Sequence, residues 1–345
     1  MKQKRSWFFS MSLVAGLVSS ALIASSAVAE IRNHSFRLAS VQAADHPFCQ
    51  GGQKFADLIT EKSGGKMKAK LFAGGSLGGD AQIVSSLQGG TIDGTFVSTG
   101  FIAPMDTNFG IFYMPMAFNN TKEADMVADG PFGKKLLERL DKFGLVGLTY
   151  WEHGFRPVTN NKHPITKLED FQGLKLRTIT IPIFVDIYKQ LGANPVPMGF
   201  TELFTALEQK AVDGQETGIN SMKSARFDEV QKYLSLTNIV YDPLVVLFSK
   251  KTWEKLNADE RKIITEAALE ATDFERKLSR SAEAEVIKNL PTKSGMAVNE
   301  ISEAERQRIR KVLQPVVDKY SKDYDPALLA EFWAEVEKAR KATAK

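Results

Sequence analysis

Two arginines, Arg177 and Arg156, are of a type and setting that could do chemistry, and the chemistry would be anion recognition. Arg177 leaves a short alternating strand in which Leu174 and Leu176 point inward, and a Thr-Ile-Thr-Ile-Pro loop follows it. From there a planar guanidinium can reach into a cleft and donate two parallel hydrogen bonds to a carboxylate, a geometry that lysine cannot copy. An arbitrary arginine is more often a surface side chain paired with a nearby acid, so its setting has to decide. Arg156 lies 21 residues upstream in Gly154-Phe155-Arg156, a stretch that fits a crossing between lobes equally well. Two uncompensated cations in one cleft repel each other, so the pair implies an anionic ligand. Ser98, Thr99 and Thr180 occupy loop positions able to face the cleft, or simply to close a turn.

Other chemistries are weaker. Gly74-Gly75-Ser76-Leu77-Gly78 fits the G-x-S-x-G pattern of a serine nucleophile between a strand and a helix. The strand before it alternates lysines with apolar residues, whereas a nucleophile-elbow strand is buried on both faces. His153 or His163 would have to serve as base, with no convincing acid placed for either. A secreted serine hydrolase acting through Ser76 therefore stays a minor alternative. The four histidines (His34, His46, His153, His163) show neither H-E-x-x-H nor another paired ligand spacing. No metal, catalytic residue or cofactor is expected, and no nucleotide-binding glycine loop follows a strand. His46 reads as a hydrogen-bonding residue at a helix start or hinge. The single cysteine, Cys49, reads as a buried, unreactive thiol.

The elements that must position these residues are legible. Phe36 and Leu38 alternate in a first strand, and Pro47 opens a helix carrying Phe55, Leu58 and Ile59 that Gly64-Gly65 stop. Lys66–Leu71 is an alternating strand, a helix runs from about Asp80 to Gly89-Gly90, and Thr95–Ser98 forms a third strand. This order argues for an α/β lobe with a largely parallel sheet. Near Arg177 a helix, the loop from Gly192 to Met198 and a helix opening at Thr201 follow. The last third is helical, with capping signals at Asn257-x-x-Glu260, Ser302-x-x-Glu305 and Asp325-Pro326. The charged run from Glu270 to Arg280 is expected to be solvated helix surface.

Lys2, Lys4 and Arg5, an apolar run from Trp7 to Ala24 and the small-x-small triplet Ala27-Val28-Ala29 read as a secretory signal peptide spanning residues 1–29. Its removal takes away three basic residues and no acidic ones, leaving a net charge of +1 in place of the formal +4. Nothing points to nucleic acid. The remaining 316 residues exceed the size at which single cores stop growing, so two lobes are expected.

The chain resembles the DctP-type solute-binding proteins, the extracytoplasmic receptors of TRAP transporters. The resemblance covers essentially the whole exported chain and is densest from Arg156 to Tyr241. It rests on Gly173-x-Lys175-x-Arg177, Leu191-Gly192-Ala193-x-Pro195-x-Pro197-Met198, Glu202-x-Phe204-x-Ala206-Leu207, Val212-Asp213-Gly214-Gln215-Glu216 and Glu229-Val230-x-Lys232-Tyr233-Leu234. It implies a two-lobed, Venus-flytrap α/β fold with an interlobe cleft and a helical C-terminal part. Residues 30–153 with 242–282 would form lobe I, and 154–241 with 283–345 lobe II. A long helix within Asn257–Leu290 would span both.

By the same resemblance Arg177 clamps a ligand carboxylate, Arg156 is a second ligand-facing arginine, and Phe200 packs an aromatic face on the ligand. Relatives carry Glu-Asn-Pro where this chain has Glu216-Thr217-Gly218. Thr217 keeps one hydroxyl in place of a two-ended amide, which suggests a ligand with fewer polar groups at that end. Gly218 in place of proline is expected to loosen the backbone there. Asp213 and Glu216 read as structural acids holding arginine or backbone amides. The expected protein is a periplasmic, monomeric, non-enzymatic receptor that passes a small organic-acid anion to a membrane permease. A receptor feeding a signalling partner is the alternative within the same class.

Overall fold

The computed structural model describes residues 30–344; the signal-peptide reading of residues 1–29 lies outside them. Two sheets divide the chain. The first is built by β1 (His34–Ala39), α1 (Pro47–Lys62), β2 (Met67–Phe72), α2 (Asp80–Gly89) and β3 (Gly94–Ser98), with β1 pairing parallel to both β2 and β3. The helices α3 (Thr121–Ala128) and α4 (Pro131–Glu138) then lead to β4 (Leu145–Phe155). The second sheet begins at β5 (Val158–Asn160) and continues through β6 (Lys175–Thr178), α5 (Pro182–Gln190), β7 (Asn194–Pro197), α6 (Leu203–Glu208), β8 (Gly214–Glu216), α7 (Ile219–Ser224) and β9 (Tyr233–Leu236). The helix expected to open at Thr201 starts as a 3-10 turn, Phe200–Glu202, before α6.

The chain returns to the first sheet in β10 (Tyr241–Ser249), whose nine residues are all buried. It runs antiparallel between β3 and β4, giving the order β2-β1-β3-β10-β4. A proline belongs in a central strand only where the ladder is interrupted, and the register shifts between Asp242 and Pro243. After α8 (Lys250–Trp253), α9 runs from Ala258 to Lys293, started by the reciprocal capping box of Asn257 and Glu260. Its first part packs on α1 and β4, and its later part on α7 and β11 (Ala297–Glu300), so it ties both sheets together. The second sheet reads β11-β9-β5-β8-β6-β7.

The helices α10 (Glu303–Val312) and α11 (Gln314–Tyr320) place Ile309 and Val316 in the core of the second lobe. The last helix, α12 (Pro326–Thr343), does not follow them. Phe332 and Val336 pack with Phe112, Phe132 and Tyr150 in the first lobe, each large apolar side chain contributing roughly 1.5–3 kcal/mol on burial. Residues 326–343 thus belong with lobe I, correcting the expectation that 283–345 joins lobe II. In the Glu270–Arg280 run, Glu270, Asp273 and Lys277 are exposed as expected, but the opposite face is not solvated surface. Glu275 is fully buried, Arg276 pairs with Asp129 at 2.6 Å, and Arg280 binds Glu152 and Asp125, because this face of α9 lies along β4. Among the described residues no helix is long and apolar enough to cross a membrane.

Candidate functional site

Between the lobes lies a cleft of about 390 Å³ whose lining includes Arg177, Arg156, Ser98, Thr180, Phe200 and Thr217. Arg177 stands on β6, between Val196 of β7 and Gln215 of β8 in parallel register. The chain turns away just after β7, which brings the Met198 carbonyl alongside. Arg177 Nε and Nη2 both donate to that oxygen, at 2.9 and 2.7 Å. Arg177 is 1 % exposed, its Nη1 has no protein partner, and no acid lies within ion-pair distance among the described residues. Burial lowers its pKa to about 10, and the more distant Glu216 offsets only part of that.

Arg156 also lines the cleft, but its setting is different. It sits in the crossing from β4 to β5, where its N–H donates to the Val240 carbonyl of the neighbouring crossing at 3.0 Å. Each of its guanidinium nitrogens donates to a protein acceptor. Nε and Nη2 bind the Glu216 carboxylate, Nη1 donates to Asp242 Oδ2 at 2.7 Å, and the Phe184 ring lies 5.2 Å from the guanidinium carbon. Burial alone would lower its pKa, but Glu216 and Asp242 raise it. The protein itself supplies two anions to this cation, so the argument that two uncompensated arginines demand a ligand fails for Arg156. Glu216 also accepts the Ile179 N–H at 2.8 Å, and Asp213 accepts that of Lys175 at 3.0 Å, so both acids hold backbone amides.

Asp242 is a residue the sequence reading passed over. It accepts from Arg156, His153 Nδ1 at 2.9 Å, Ser98 Oγ at 2.8 Å and Tyr113 Oη at 2.9 Å. Burial works to raise its pKa, yet His153 and Arg156 hold it below the ordinary carboxylate value. The network continues across the lobes. His153 Nε2 is 3.0 Å from Ser221 Oγ, which is 3.1 Å from His46 Nε2. His46 Nδ1 accepts the Phe48 N–H, so its proton is on Nε2 and donates to Ser221. Ser221 Oγ thus accepts from His46 and stands within hydrogen-bond distance of His153 Nε2, while His153 Nδ1 donates to Asp242. Burial, then His153, keeps His46 well below its usual pKa.

Gly218 serves this network by its size. Its backbone angle, φ −59°, is one that proline would adopt. A β-carbon there would lie 2.6 Å from both the carbonyl oxygen and the ring of His153. Thr99 stands apart from the cleft: fully buried, it donates to Tyr113 Oη at 3.0 Å from the first residue of a 3-10 turn. Ser98 lines the cleft but spends its hydroxyl on Asp242. Phe200 lines it with its ring 5.7 Å from that of Phe227. Thr217 is buried in the wall, and Thr180 is exposed at the rim.

Further cleft residues escaped sequence reasoning: Gln42, Asp80 and Gln82 from the first lobe, Thr201 and Glu202 from the second. Asp80 begins α2, and burial in the cleft raises its pKa to about 6. The Gly79-Asp80 helix start was the available signal. Ser76 is exposed and donates to the Ala73 carbonyl at 3.0 Å, while both nitrogens of His153 are taken by Asp242 and Ser221. Cys49 is buried, and its thiol, pushed up to about 11 by burial, donates to the Gln42 carbonyl. No group of three or more His, Cys, Asp or Glu able to hold a metal occurs among the described residues.

Two α/β lobes, crossing strands at their junction and a cleft of mixed polar and apolar lining between them define a two-lobed solute-binding protein. The chain belongs to the family described as bacterial extracellular solute-binding protein, family 7 (DctP), which matches residues 38–323. It is 37% identical over 235 residues to the 2,3-diketo-L-gulonate-binding periplasmic protein YiaO of Escherichia coli, covering 68% of this chain and 72% of that one. It is 31% identical over 296 residues to the C4-dicarboxylate-binding protein DctB of Bacillus subtilis, covering 86% and 85%. Among solved structures it superposes on the sugar acid binding protein DctPAm from Advenella mimigardefordensis in complex with galactonate, with TM-score 0.87, 42% identity and coverage of 90% and 99%. A TRAP periplasmic solute-binding protein from Haemophilus influenzae with bound L-gulonate gives TM-score 0.84 at 30% identity, covering 89% and 100%.

Proposed function

We propose that this protein is a periplasmic receptor of a TRAP-type transporter that captures a small organic acid through one carboxylate and delivers it to a membrane permease. The observation that carries this reading is Arg177, a buried cation in the cleft with an unpartnered Nη1 and no protein anion paired to it. A carboxylate arriving at Nη1 and the free hydrogen of Nη2 supplies the missing counter-charge in bidentate geometry. Arg156 contributes by position, holding Glu216 and Asp242 at the base of the cleft, and not as a second clamp.

The rest of the cleft favours a ligand with one carboxylate and several hydroxyls. With Arg156 neutralised, only Arg177 is free to meet an acid, and a second carboxylate would approach Asp80 or Glu202. Those acids and the amides of Gln42 and Gln82 accept or donate to hydroxyl groups. The polar contacts thus come chiefly from the first lobe, not from Thr217. Relatives crystallised with galactonate and L-gulonate support a hydroxy acid.

The test is thermal melting of the exported protein with aldonates, C4-dicarboxylates and neutral amides or lactones. A ligand at a hundred times its dissociation constant adds roughly 2.7 kcal/mol. A shift with aldonates and none with their lactones supports the reading. Equal shifts with the neutral forms would sink it.

A further inference from the structure

A second cluster of cations lies outside the cleft. Arg306, Gln307 and Arg310 of α10 line a groove of about 450 Å³ with Arg340 of α12, Asn119 and Glu303. The two walls belong to different lobes. On one side, Ile309 of α10 is core to the second lobe, and Glu305 accepts the Leu168 N–H at 3.0 Å. On the other, α12 packs in the first lobe, and Asn119 donates from its backbone to Glu123 at 2.8 Å. The groove floor lies by the interlobe crossing, where Arg306 Nη1 donates to the Thr237 carbonyl at 3.2 Å.

The three guanidinium groups are unequally satisfied. Arg340 pairs with Glu337 at 2.8 Å and donates to the Ala117 carbonyl at 2.7 Å, but its buried Nε has no partner. Arg306 Nε is 3.6 Å from Glu303, a carboxylate 72% exposed. Arg310 makes no side-chain hydrogen bond and no ion pair with any described residue, and its Nε is buried. Burial, then Arg340 and Arg306, lower its pKa, with Glu303 and Glu123 opposing. Glu123 makes no ion pair with it, and its oxygens accept from Asn119, Asn120 and Thr343.

We propose that this groove is a second anion site, taking a small doubly charged oxyanion of the phosphate type through Arg310 and the free hydrogens of Arg306 and Arg340. Guanidinium forks match tetrahedral oxyanions as they match carboxylates. An ion there would bridge the lobes on a face separate from the cleft.

Calorimetric titration with inorganic phosphate, in a buffer free of other oxyanions and at constant ionic strength, tests it. Saturable one-to-one binding is expected, weakened about tenfold or more by Arg310→Gln, the loss of a charge-assisted contact. Glu303→Gln removes a carboxylate from the rim and is expected to tighten the same site. Arg177→Met is expected to leave phosphate binding unchanged. Loss of phosphate binding in Arg177→Met would place the ion in the cleft, and absence of saturable binding would show solvated arginines only. Either result, or Arg310→Gln and Glu303→Gln shifting in the same direction, overturns the proposal.

Discussion

Arg177 and the carbonyl oxygen of Met198 are joined by two hydrogen bonds, at 2.9 and 2.7 Å, and this contact fixes the guanidinium while leaving its charge unbalanced. A carbonyl satisfies two donors but supplies no negative charge. On the function proposed above, the stabilising partner of this buried cation is a ligand carboxylate. Replacing Arg177 by Met is expected to act with opposite signs on two properties. Ligand affinity falls by roughly 2–5 kcal/mol, while the ligand-free melting temperature holds or rises. Calorimetry and melting on the same preparation separate the two. A variant that binds the acid normally removes Arg177 from the site.

Asp242 concentrates four donors; of these partners Arg156 lies on the crossing from the first lobe to the second and His153 near the end of β4 that leads into it. Asp242→Asn leaves Arg156 with one anion in place of two and puts an amide N–H where acceptors are needed. The expected loss is roughly 3–5 kcal/mol, the usual effect of breaking a buried ion pair from one side. Urea unfolding measures it. A loss below 1 kcal/mol would mean that the network is not a determinant of the fold.

Gly218→Ala introduces a β-carbon where His153 already stands, 2.6 Å from its carbonyl oxygen and ring. Overpacking of this kind costs roughly 1–3 kcal/mol. The histidine ring should be displaced from Ser221, visible as a change in the His153 imidazole resonances by NMR. An alanine variant with wild-type stability and unchanged resonances would refute the steric reading.

Asp80 tests the single-carboxylate reading. Asp80→Asn removes an anion from the first-lobe wall of the cleft, so binding of C4-dicarboxylates should improve relative to aldonates, by about tenfold for one charge pair removed in a partly buried site. Competition titrations read this ratio directly. An unchanged ratio would mean that the second carboxylate does not approach Asp80.

Stability should fall with rising pH in the neutral range because of α9. Burial raises Glu275 from its ordinary 4.5 to about 8, and Glu283 to about 7. The folded chain therefore holds protons that the unfolded chain releases between pH 4.5 and 8, which makes the native state more favourable at the acid end of that window. The slope per group is at most about 1.4 kcal/mol per pH unit. Glu275→Gln should flatten the profile of denaturation midpoint against pH across that window. An unflattened profile would assign the dependence elsewhere.

The sequence by itself determined what is local. The alternation in Met67–Phe72, the capping residues Asn257, Ser302 and Asp325, and the arginine that ends its strand before a loop all follow from neighbours a few residues away. The motifs around Arg177 were legible for the same reason, since Met198, which orients it, lies in the adjoining strand–helix–strand unit. Only the tertiary structure decided the rest. Asp242 reaches Arg156 across 86 residues, which gives this cleft-lining arginine a protein anion of its own. His153 meets Ser221 and crowds Gly218 across 68 and 65 residues, so a glycine that suggested flexibility is in fact a matter of space. Phe332 on α12 is apolar whichever lobe it joins, and hydrophobicity has no direction. Which core it fills was decided by where the chain crosses back, and no residue pattern along the helix records that.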